Sequence, residues 1–256
     1  MATFRIMSYH INGARNAAGE LAPELCTAVI RSQQPELVML QGVGSPIGIS
    51  SVALLAERVG LTAYGSDSEG GCAFLSCYPL HHVQAQQLGF GGHCLQADLE
   101  YEDERIHLFN LTLSWDFRQR REQVKLLMGE QLLNNPLFPC ATIVCGDFGL
   151  PLWGSGQIPL NEHLKRASFP VWRANFPGKA PLWGRDRVYF RGPIKALAGT
   201  VVATAEARKA STHLPLVLTV ETSDTREVLK VKKRARIPRK QTSPVCGSAS
   251  ANLKND

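Results

Sequence analysis

The pattern of apolar and polar positions along the first 221 residues predicts a mixed α/β domain. Short apolar or alternating runs bounded by turn residues predict β-strands, at residues 4–9, 36–42, 72–76, 94–100, 105–113, 142–147, 187–190, 199–206 and 213–221. Apolar residues at helical spacing predict helices, at residues 20–33, 52–59 and 118–133. Residues 150–185 hold five prolines and three tryptophans without a sustained period, which predicts a long ordered loop walling a site.

Two side chains suited to catalysis stand at the ends of predicted strands. Asp147 closes the apolar run that begins at Thr142, and His213 stands at the mouth of the last predicted strand. A carboxylate and an imidazole delivered by strand ends are the groups that activate water and stabilise a phosphoryl transition state. We therefore expect the chemistry of this protein at that edge of the fold.

The positive charge of the chain belongs to its C-terminal segment. The 256 residues are 44% hydrophobic and carry a formal net charge of +6. Residues 222–256 hold nine Lys and Arg against three acidic residues, which accounts for the whole excess. We predict a domain at residues 1–221 and a disordered basic tail at 222–256. The basic run at 230–240 fits a nucleic-acid tether or an import signal, and equally a solvated terminus without a partner.

The sequence gives no sign of a membrane protein or of a disulfide framework. No apolar run approaches the roughly 18 residues that span a bilayer. The chain begins directly with a predicted strand, which leaves no room for a secretory signal. Its seven cysteines lack CxxC spacing, so neither a zinc ribbon nor paired disulfides are indicated. We expect a cytoplasmic monomer.

Six short motifs, met in a fixed order, make the sequence similar to a known family. They are Ser8-Tyr9-His10-Ile11-Asn12-Gly13, Leu40-Gln41-Gly42, Phe74-Leu75-Ser76-Cys77-Tyr78-Pro79-Leu80, Gly146-Asp147-Phe148-Gly149, Arg185-Asp186-Arg187-Val188-Tyr189 and Ser211-Thr212-His213-Leu214-Pro215. Together they resemble the endonuclease/exonuclease/phosphatase superfamily, which includes deoxyribonucleases, abasic-site endonucleases, inositol phosphatases and sphingomyelinases. The resemblance implies a four-layer α/β/β/α sandwich of two mixed sheets with outer helices.

The resemblance also implies hydrolysis of a phosphoester with Mg²⁺ or Mn²⁺. It assigns catalytic positions to Asp147, His213, Asn12 and His10, with Asp186 orienting His213. A phosphate-bearing ligand is the partner to expect.

Several positions depart from the pattern of the family, and most of them are the positions that perform the reaction. Gly42 stands where the family has its metal-binding Glu, and His10 stands where it has Asn. Three further departures are Thr112 for His, Gly149 for Asn and Thr212 for Asp. Mg²⁺ is held by carboxylates and water, and a glycine offers it no ligand. The sequence therefore predicts a phosphoesterase fold with impaired catalysis.

Four interpretations remain open from the sequence. The chain binds phosphate ligands or a partner without turnover, or it is an active nuclease or phosphodiesterase with replacement ligands such as Asp67, Glu69, Asp98 or Asp116. It is alternatively an adaptor that works through its tail, with the domain as a scaffold. Whichever function holds, Asp147, Asp186 and His213 are either catalytic or a structural remnant whose members satisfy each other's hydrogen bonds. Finally, His10, His213 and Asp147 would suit Zn²⁺, Mn²⁺ or Fe²⁺ better than Mg²⁺.

Two further groups of residues have both a functional and a structural interpretation. Arg118, Arg120 and Arg121 either contact phosphates or form a solvated first turn of a helix. The tryptophans of the loop region either stack on a base or sugar or act as packing anchors, and they are Trp153, Trp172 and Trp183.

Overall fold

The computed structural model describes most of the chain up to Thr222. The described residues are 2–44, 51–65, 71–102, 104–134, 141–150, 160 and 164–222. They all belong to the first of the two units into which the chain divides, Met1–Asp224 and Thr225–Asp256. Apart from Thr222, which is the last residue of a strand, the predicted basic tail lies outside the described residues. Its disorder and the domain boundary at 221 stay predictions. Among the residues described, no helix is long and apolar enough to cross a membrane.

The first sheet brings both ends of the domain together. Its six strands are β1 (Ala2–His10), β2 (Leu37–Val43), β3 (Thr62–Gly65), β4 (Gly71–Ser76), β11 (Ile194–Val201) and β12 (Leu216–Thr222). Their order across the sheet is β11-β12-β1-β2-β4-β3. Strand β1 pairs parallel with β2 and antiparallel with β12, so the ends of β1 and β2 lie at one edge beside the residues that precede β12.

The second sheet is also mixed, and it carries Asp147. Its six strands are β5 (Leu80–Gly89), β6 (Gly92–Tyr101), β7 (Glu104–Thr112), β8 (Ala141–Asp147), β9 (Lys165–Arg166) and β10 (Asp186–Arg191). Their order is β5-β6-β7-β8-β10-β9. Strand β8 runs parallel to β7 and antiparallel to β10, and this pairing sets Asp147 opposite Asp186.

The fold has four layers, with three apolar clusters between them. One cluster lies between the two sheets, and the others lie between each sheet and the helices outside it. The cluster between the sheets includes Phe4, Met39 and Phe74 from the first sheet and Leu108 and Ile143 from the second. The outer face of the first sheet is covered by three helices, α1 (Pro23–Gln33), α2 (Ser51–Val59) and α4 (Ala205–Ala210). The outer face of the second sheet is covered by α3 (Phe117–Leu127). The predicted α/β/β/α sandwich is confirmed.

Some predicted elements are wrong in extent or kind. The strand predicted at 199–206 ends at Val201, and the chain then enters α4, whose N-cap Thr204 accepts a hydrogen bond from the amide of Ala207. The helix predicted at 118–133 ends at Leu127, and the helix predicted at 20–33 begins at Pro23. The pattern missed β3, β5 and β9. Of the predicted 150–185 loop, residues 151–159 and 161–163 lie outside the described residues, and the described remainder from Leu164 to Arg185 is irregular apart from β9.

A buried amide joins the two sheets near the end of β8. Asn110, on β7, donates through Nδ2 to the carbonyl oxygens of Leu40 at 2.8 Å and Ala73 at 2.9 Å. Its Oδ1 accepts a hydrogen bond of 2.7 Å from Nε2 of Gln41. Buried polar groups are costly unless they are paired, so these three bonds fix the position of one sheet relative to the other.

We predict that Asn110→Ala lowers the free energy of unfolding by about 3 kcal/mol, because two buried carbonyl groups lose their donor. Urea denaturation measures this change. Gln87→Ala, at an exposed position on β5, is the control and should stay within about 0.5 kcal/mol of the wild type. A loss below about 1 kcal/mol for Asn110→Ala would show that the amide does not tie the sheets together.

Candidate active site

The ends of β1, β2 and β8, the start of β10 and the loop before β12 meet at one edge of the sandwich. They contribute His10, Gln41, Asp147, Asp186 and His213 in that order. The glycine before Asp147 makes this approach possible, since a side chain at Gly146 would collide with the carbonyl oxygen of Leu111 on β7. Four of the five residues predicted as catalytic therefore lie close together.

Asp186, His213 and Asp147 form a buried row. Nδ1 of His213 lies 3.0 Å from Oδ1 of Asp186, and its Nε2 lies 3.9 Å from Oδ2 of Asp147. Each of the three residues is at most 2% exposed. The hydrogen bond to Asp186 holds the imidazole with its Nε2 towards Asp147.

The pKa values of the two carboxylates in this row are shifted in opposite directions. Burial raises the pKa of Asp186, against the opposing charge of His213. Burial also raises the pKa of Asp147, but the charges of His213 and Arg185 outweigh it and hold that pKa below its usual range. Asp147 is therefore the anionic centre of the site.

Arg185 is the direct counter-charge of Asp147. Its Nη2 donates to Oδ2 at 2.8 Å and its Nε to Oδ1 at 3.3 Å, which is a two-point contact. Oδ1 also accepts the backbone N–H of Gly149 at 2.8 Å. Both carboxylate oxygens of Asp147 are thus engaged by groups of the chain itself.

The position at which relatives carry a metal-binding Glu is filled by the imidazole of His10. Gly42 has φ +60°, and a Cβ built there would lie 2.6 Å from Nε2 of His10. A break in the β2–β4 register at this point marks a β-bulge, a place where glycine in the left-handed region is favoured. The His10 ring lies against His213, with ring centroids 4.4 Å apart.

Two buried polar atoms at this edge have no hydrogen-bond partner in the described part of the chain. They are Nδ1 of His10 and Oε1 of Gln41. Gln41 is fully buried, and its Nε2 is held by Ser8, Met39 and Asn110. A buried polar atom without a partner lowers the stability of the folded state. The chain therefore keeps these two polar side chains buried at a cost in stability.

Asn12 and Thr112 are placed differently from the other predicted residues. Asn12 lies in a single turn of 3₁₀ helix after β1, and its side chain makes no hydrogen bond to the other four candidates, all of which are described. Thr112, which stands where relatives often carry His, lies with its hydroxyl 3.6 Å from the thiol of Cys72. Neither adds a proton-transfer group beside Asp147.

The proposed replacement ligands are used elsewhere or are not described. Asp98 lies on the outer face of the second sheet, where its carboxylate binds His82 and His107. Asp116 is the N-cap of α3 and accepts from the amide of Gln119. Asp67 and Glu69 lie outside the described residues.

Of the arginines and tryptophans with two interpretations, Arg120 and Trp183 make contacts within the fold, whereas Arg118 and Trp172 are exposed. Arg120 is buried and donates to the carbonyls of Ser114, Trp115 and Gly149, whereas Arg118 is exposed. Trp183 packs on Phe176 with ring centroids 5.2 Å apart, and Trp172 is 72% exposed. Trp153 is not among the described residues.

Three residues of the site were not predicted from the sequence. Arg185 and Phe176 form a cation–π contact at 4.8 Å, and Phe176 also lies against His213. Asn175 donates to Oδ2 of Asp186 at 2.5 Å and accepts the amide of Arg185 at 3.0 Å. Asn175 and Phe176 come from an irregular segment, in which no period shows the direction of a side chain. Arg185 adjoins Asp186 in a recognised motif, which was the only available signal.

Solved structures with the same fold confirm the architecture. An endonuclease/exonuclease/phosphatase from Bacteroides vulgatus superposes with TM-score 0.71 at 11% identity, covering 87% of this chain and 100% of that one. TDP2 from D. rerio, complexed with single strand DNA product, gives TM-score 0.68 at 14% identity, covering 87% and 100%. An endonuclease/exonuclease/phosphatase from Beutenbergia cavernae gives 0.66 at 18% identity, covering 87% and 72%. No curated protein matches the sequence.

The arrangement is that of a phosphoesterase sandwich with a buried Asp and His pair at its edge. The sequence profile of the Endonuclease/Exonuclease/phosphatase family matches residues 7–224, and the chain belongs to this family. The family generally depends on divalent metal ions. Asp147, Asp186 and His213 offer ligand atoms within 4.8 Å of one another, and this set contains Asp186 in place of His10.

We predict that Gly42→Ala destabilises the wild type by about 3 kcal/mol, because the left-handed backbone and the contact with His10 act together. In a His10→Ala background the penalty should fall to about 1–2 kcal/mol. Thermal and urea unfolding of the four variants form a double-mutant cycle. Gly60→Ala, at φ +74° with nothing within 4 Å of the added atom, is the control and carries the backbone penalty alone. Equal penalties in both backgrounds would contradict the contact.

We also predict a pH dependence of stability from His10. Burial, with the charge of His213 adding to it, lowers its pKa to about 3 from an ordinary value of 6.5. Between these values the unfolded chain binds a proton that the folded chain does not, so the stabilisation is full above pH 6.5 and is lost towards pH 3. The stability advantage of wild type over His10→Gln should shrink by up to about 1.4 kcal/mol per pH unit in this window.

Denaturation at pH 7, 6, 5 and 4 measures this difference. His81→Gln, an exposed replacement on β5, serves as the control and should leave the slope of the wild type unchanged. Parallel curves for wild type and His10→Gln would exclude the predicted role of His10.

Proposed function

We propose that this protein binds a phosphate-bearing ligand at the catalytic edge of the sandwich and that its hydrolytic activity is lost or strongly reduced. The observation that carries this proposal is the pair Gly42 and His10. Where relatives have a metal-binding carboxylate, this chain has a glycine whose side-chain space is taken by an imidazole.

The residues present do not fit a Mg²⁺ or Mn²⁺ site, although Asp147 and Asp186 are two carboxylates close together. Asp186 is bound by Asn175 and His213. Such ions need carboxylate oxygens and ordered water, and Gly42 provides neither. The oxygens of Asp147 are engaged by Arg185 and by the amide of Gly149. Loss of one positioned acid–base group typically slows a reaction on the order of 10²–10⁴-fold, and losses within one unit do not simply multiply.

The groups that remain are suited to binding an anion. His213 is oriented by Asp186, and Arg185 lies beside it with its side chain 21% exposed. Guanidinium and imidazole groups donate to phosphate oxygens without any metal. Binding of this kind needs no activated water and no leaving-group acid.

Nucleic acid is the first ligand class to test. D. rerio TDP2, a structural relative, is complexed with single strand DNA product, and the basic run at 230–240 offers counter-charges for a phosphate backbone. The active-enzyme alternative gains nothing from Asp98 or Asp116, which are bound elsewhere. The adaptor role of the tail, the cytoplasmic location and the monomeric state stay predictions.

We predict that purified protein hydrolyses bis(4-nitrophenyl) phosphate and single-stranded DNA, with Mg²⁺ or Mn²⁺, at least about 100-fold more slowly than a family member that retains the Glu. Residual turnover should be equal in Asp147→Asn, which controls for contaminating nuclease. Brisk metal-dependent turnover that Asp147→Asn abolishes would instead establish an active enzyme.

Binding of a fluorescent single-stranded oligonucleotide, with inorganic phosphate as competitor, tests the other half of the proposal. A variant with the seven basic residues of 230–240 changed to Gln separates the tail from the domain. Retained, phosphate-sensitive binding in this variant places the ligand on the domain, whereas complete loss assigns binding to the tail.

A further inference from the structure

The buried charge of Asp147 must be compensated, and the chain supplies a cation of its own beside it. A carboxylate that is 2% exposed is strongly disfavoured unless a cation and hydrogen bonds compensate it. Arg185 supplies the cation with contacts of 2.8 and 3.3 Å to the two oxygens of Asp147. Its guanidinium therefore supplies the positive charge that the buried carboxylate requires.

The surroundings hold Arg185 in this position from several sides. The ring of Phe176 lies 4.8 Å from the guanidinium carbon, and such stacking favours a cation. The backbone amide of Arg185 is fixed by Asn175, which also binds Asp186. Arg185 is thus built into the same network that orients His213.

The guanidinium still has donors to offer. Two of its N–H groups point at Asp147, whereas Nη1 makes no hydrogen bond to any described residue, and the side chain is 21% exposed. Arginine has five N–H donors in a planar fork that matches phosphate as well as carboxylate. A phosphate can therefore accept hydrogen bonds from Nη1 of Arg185 while Nε and Nη2 stay bound to Asp147.

We propose that Arg185 is a built-in cation of this site. It takes the role of the divalent ion, neutralises Asp147 in the ligand-free protein and donates hydrogen bonds to a phosphate group of the ligand. The first part needs only the geometry of Asp147, while the last part rests on the proposed function. A positive guanidinium at this distance also repels a divalent ion, so Arg185 keeps the metal out.

The cation role is tested by Mn²⁺ binding, followed by electron paramagnetic resonance of the free ion. Arg185→Gln should bind Mn²⁺ at least tenfold more tightly than wild type, since Asp147 is left without its partner. Arg185→Lys keeps the charge and should still exclude Mn²⁺. Asp147→Asn/Arg185→Gln should not bind it, and Arg118→Gln, at an exposed position on α3, makes the same charge change and should behave as wild type.

Two results would overturn the cation role. One is wild-type affinity for Mn²⁺ equal to that of Arg185→Gln, and the other is Arg185→Lys binding Mn²⁺ as well as Arg185→Gln does. Circular dichroism of each variant verifies folding. If Arg185→Gln does not fold, Mn²⁺ binding by Arg185→Lys or by the wild type still decides against the role, and its absence in both supports it.

The ligand role is tested by calorimetry with inorganic phosphate and phenyl phosphate. Asp147→Asn keeps the shape of the side chain and removes the competing carboxylate, so phosphate should bind it severalfold more tightly than wild type. Arg185→Gln should weaken phosphate binding at least tenfold. Unchanged or weaker binding in Asp147→Asn would contradict the proposed exchange of partners.

The two proposals can fail separately. Phosphate that binds every variant equally, without hydrolysis, leaves the proposed function standing and removes Arg185 from it. Conversely, the expected Mn²⁺ pattern without phosphate binding by any variant supports Arg185 as the built-in cation and removes the proposed ligand.

Discussion

The buried negative charge of Asp147, at one edge of the two sheets, determines which groups must lie around it. Asp147 lies at the end of β8, beneath the loop before β12 and opposite Asp186. A lone carboxylate there would take up a proton and become neutral. Positively charged groups and hydrogen-bond donors around Asp147 stabilise its charged form instead. Arg185, the amide of Gly149 and His213 share the task, and each comes from a different segment of the chain.

The hydrogen bonds around Asp147 also join separate segments of the chain at this edge. The Asn175, Asp186 and His213 bonds tie the irregular segment before β10 to the strand that ends the domain. Asn110 ties the two sheets together a few residues away. Hydrogen bonds among its own side chains thus hold this edge of the sandwich in place.

The sequence predicted the parts of the structure that follow a simple period. The strand ending in Asp147 is visible because β-branched and small apolar residues run into a glycine, and the Asp186 and His213 motifs follow from order along the chain. Strand β5 was missed because most of its side chains are exposed and polar, among them Gln84, Gln86 and Gln87. The partnership of Arg185 with Asp147 depends on tertiary contact between segments 38 residues apart, which no local pattern records.

The fit of His10 over Gly42 constrains the order in which this site can change. A carboxylate side chain does not fit at position 42 while the imidazole fills its space, and replacing His10 alone with a smaller residue leaves that space empty. Either single step passes through a less stable intermediate, so the two positions are epistatic. A larger residue at position 42 therefore requires a smaller one at position 10, so the two positions have to be exchanged together.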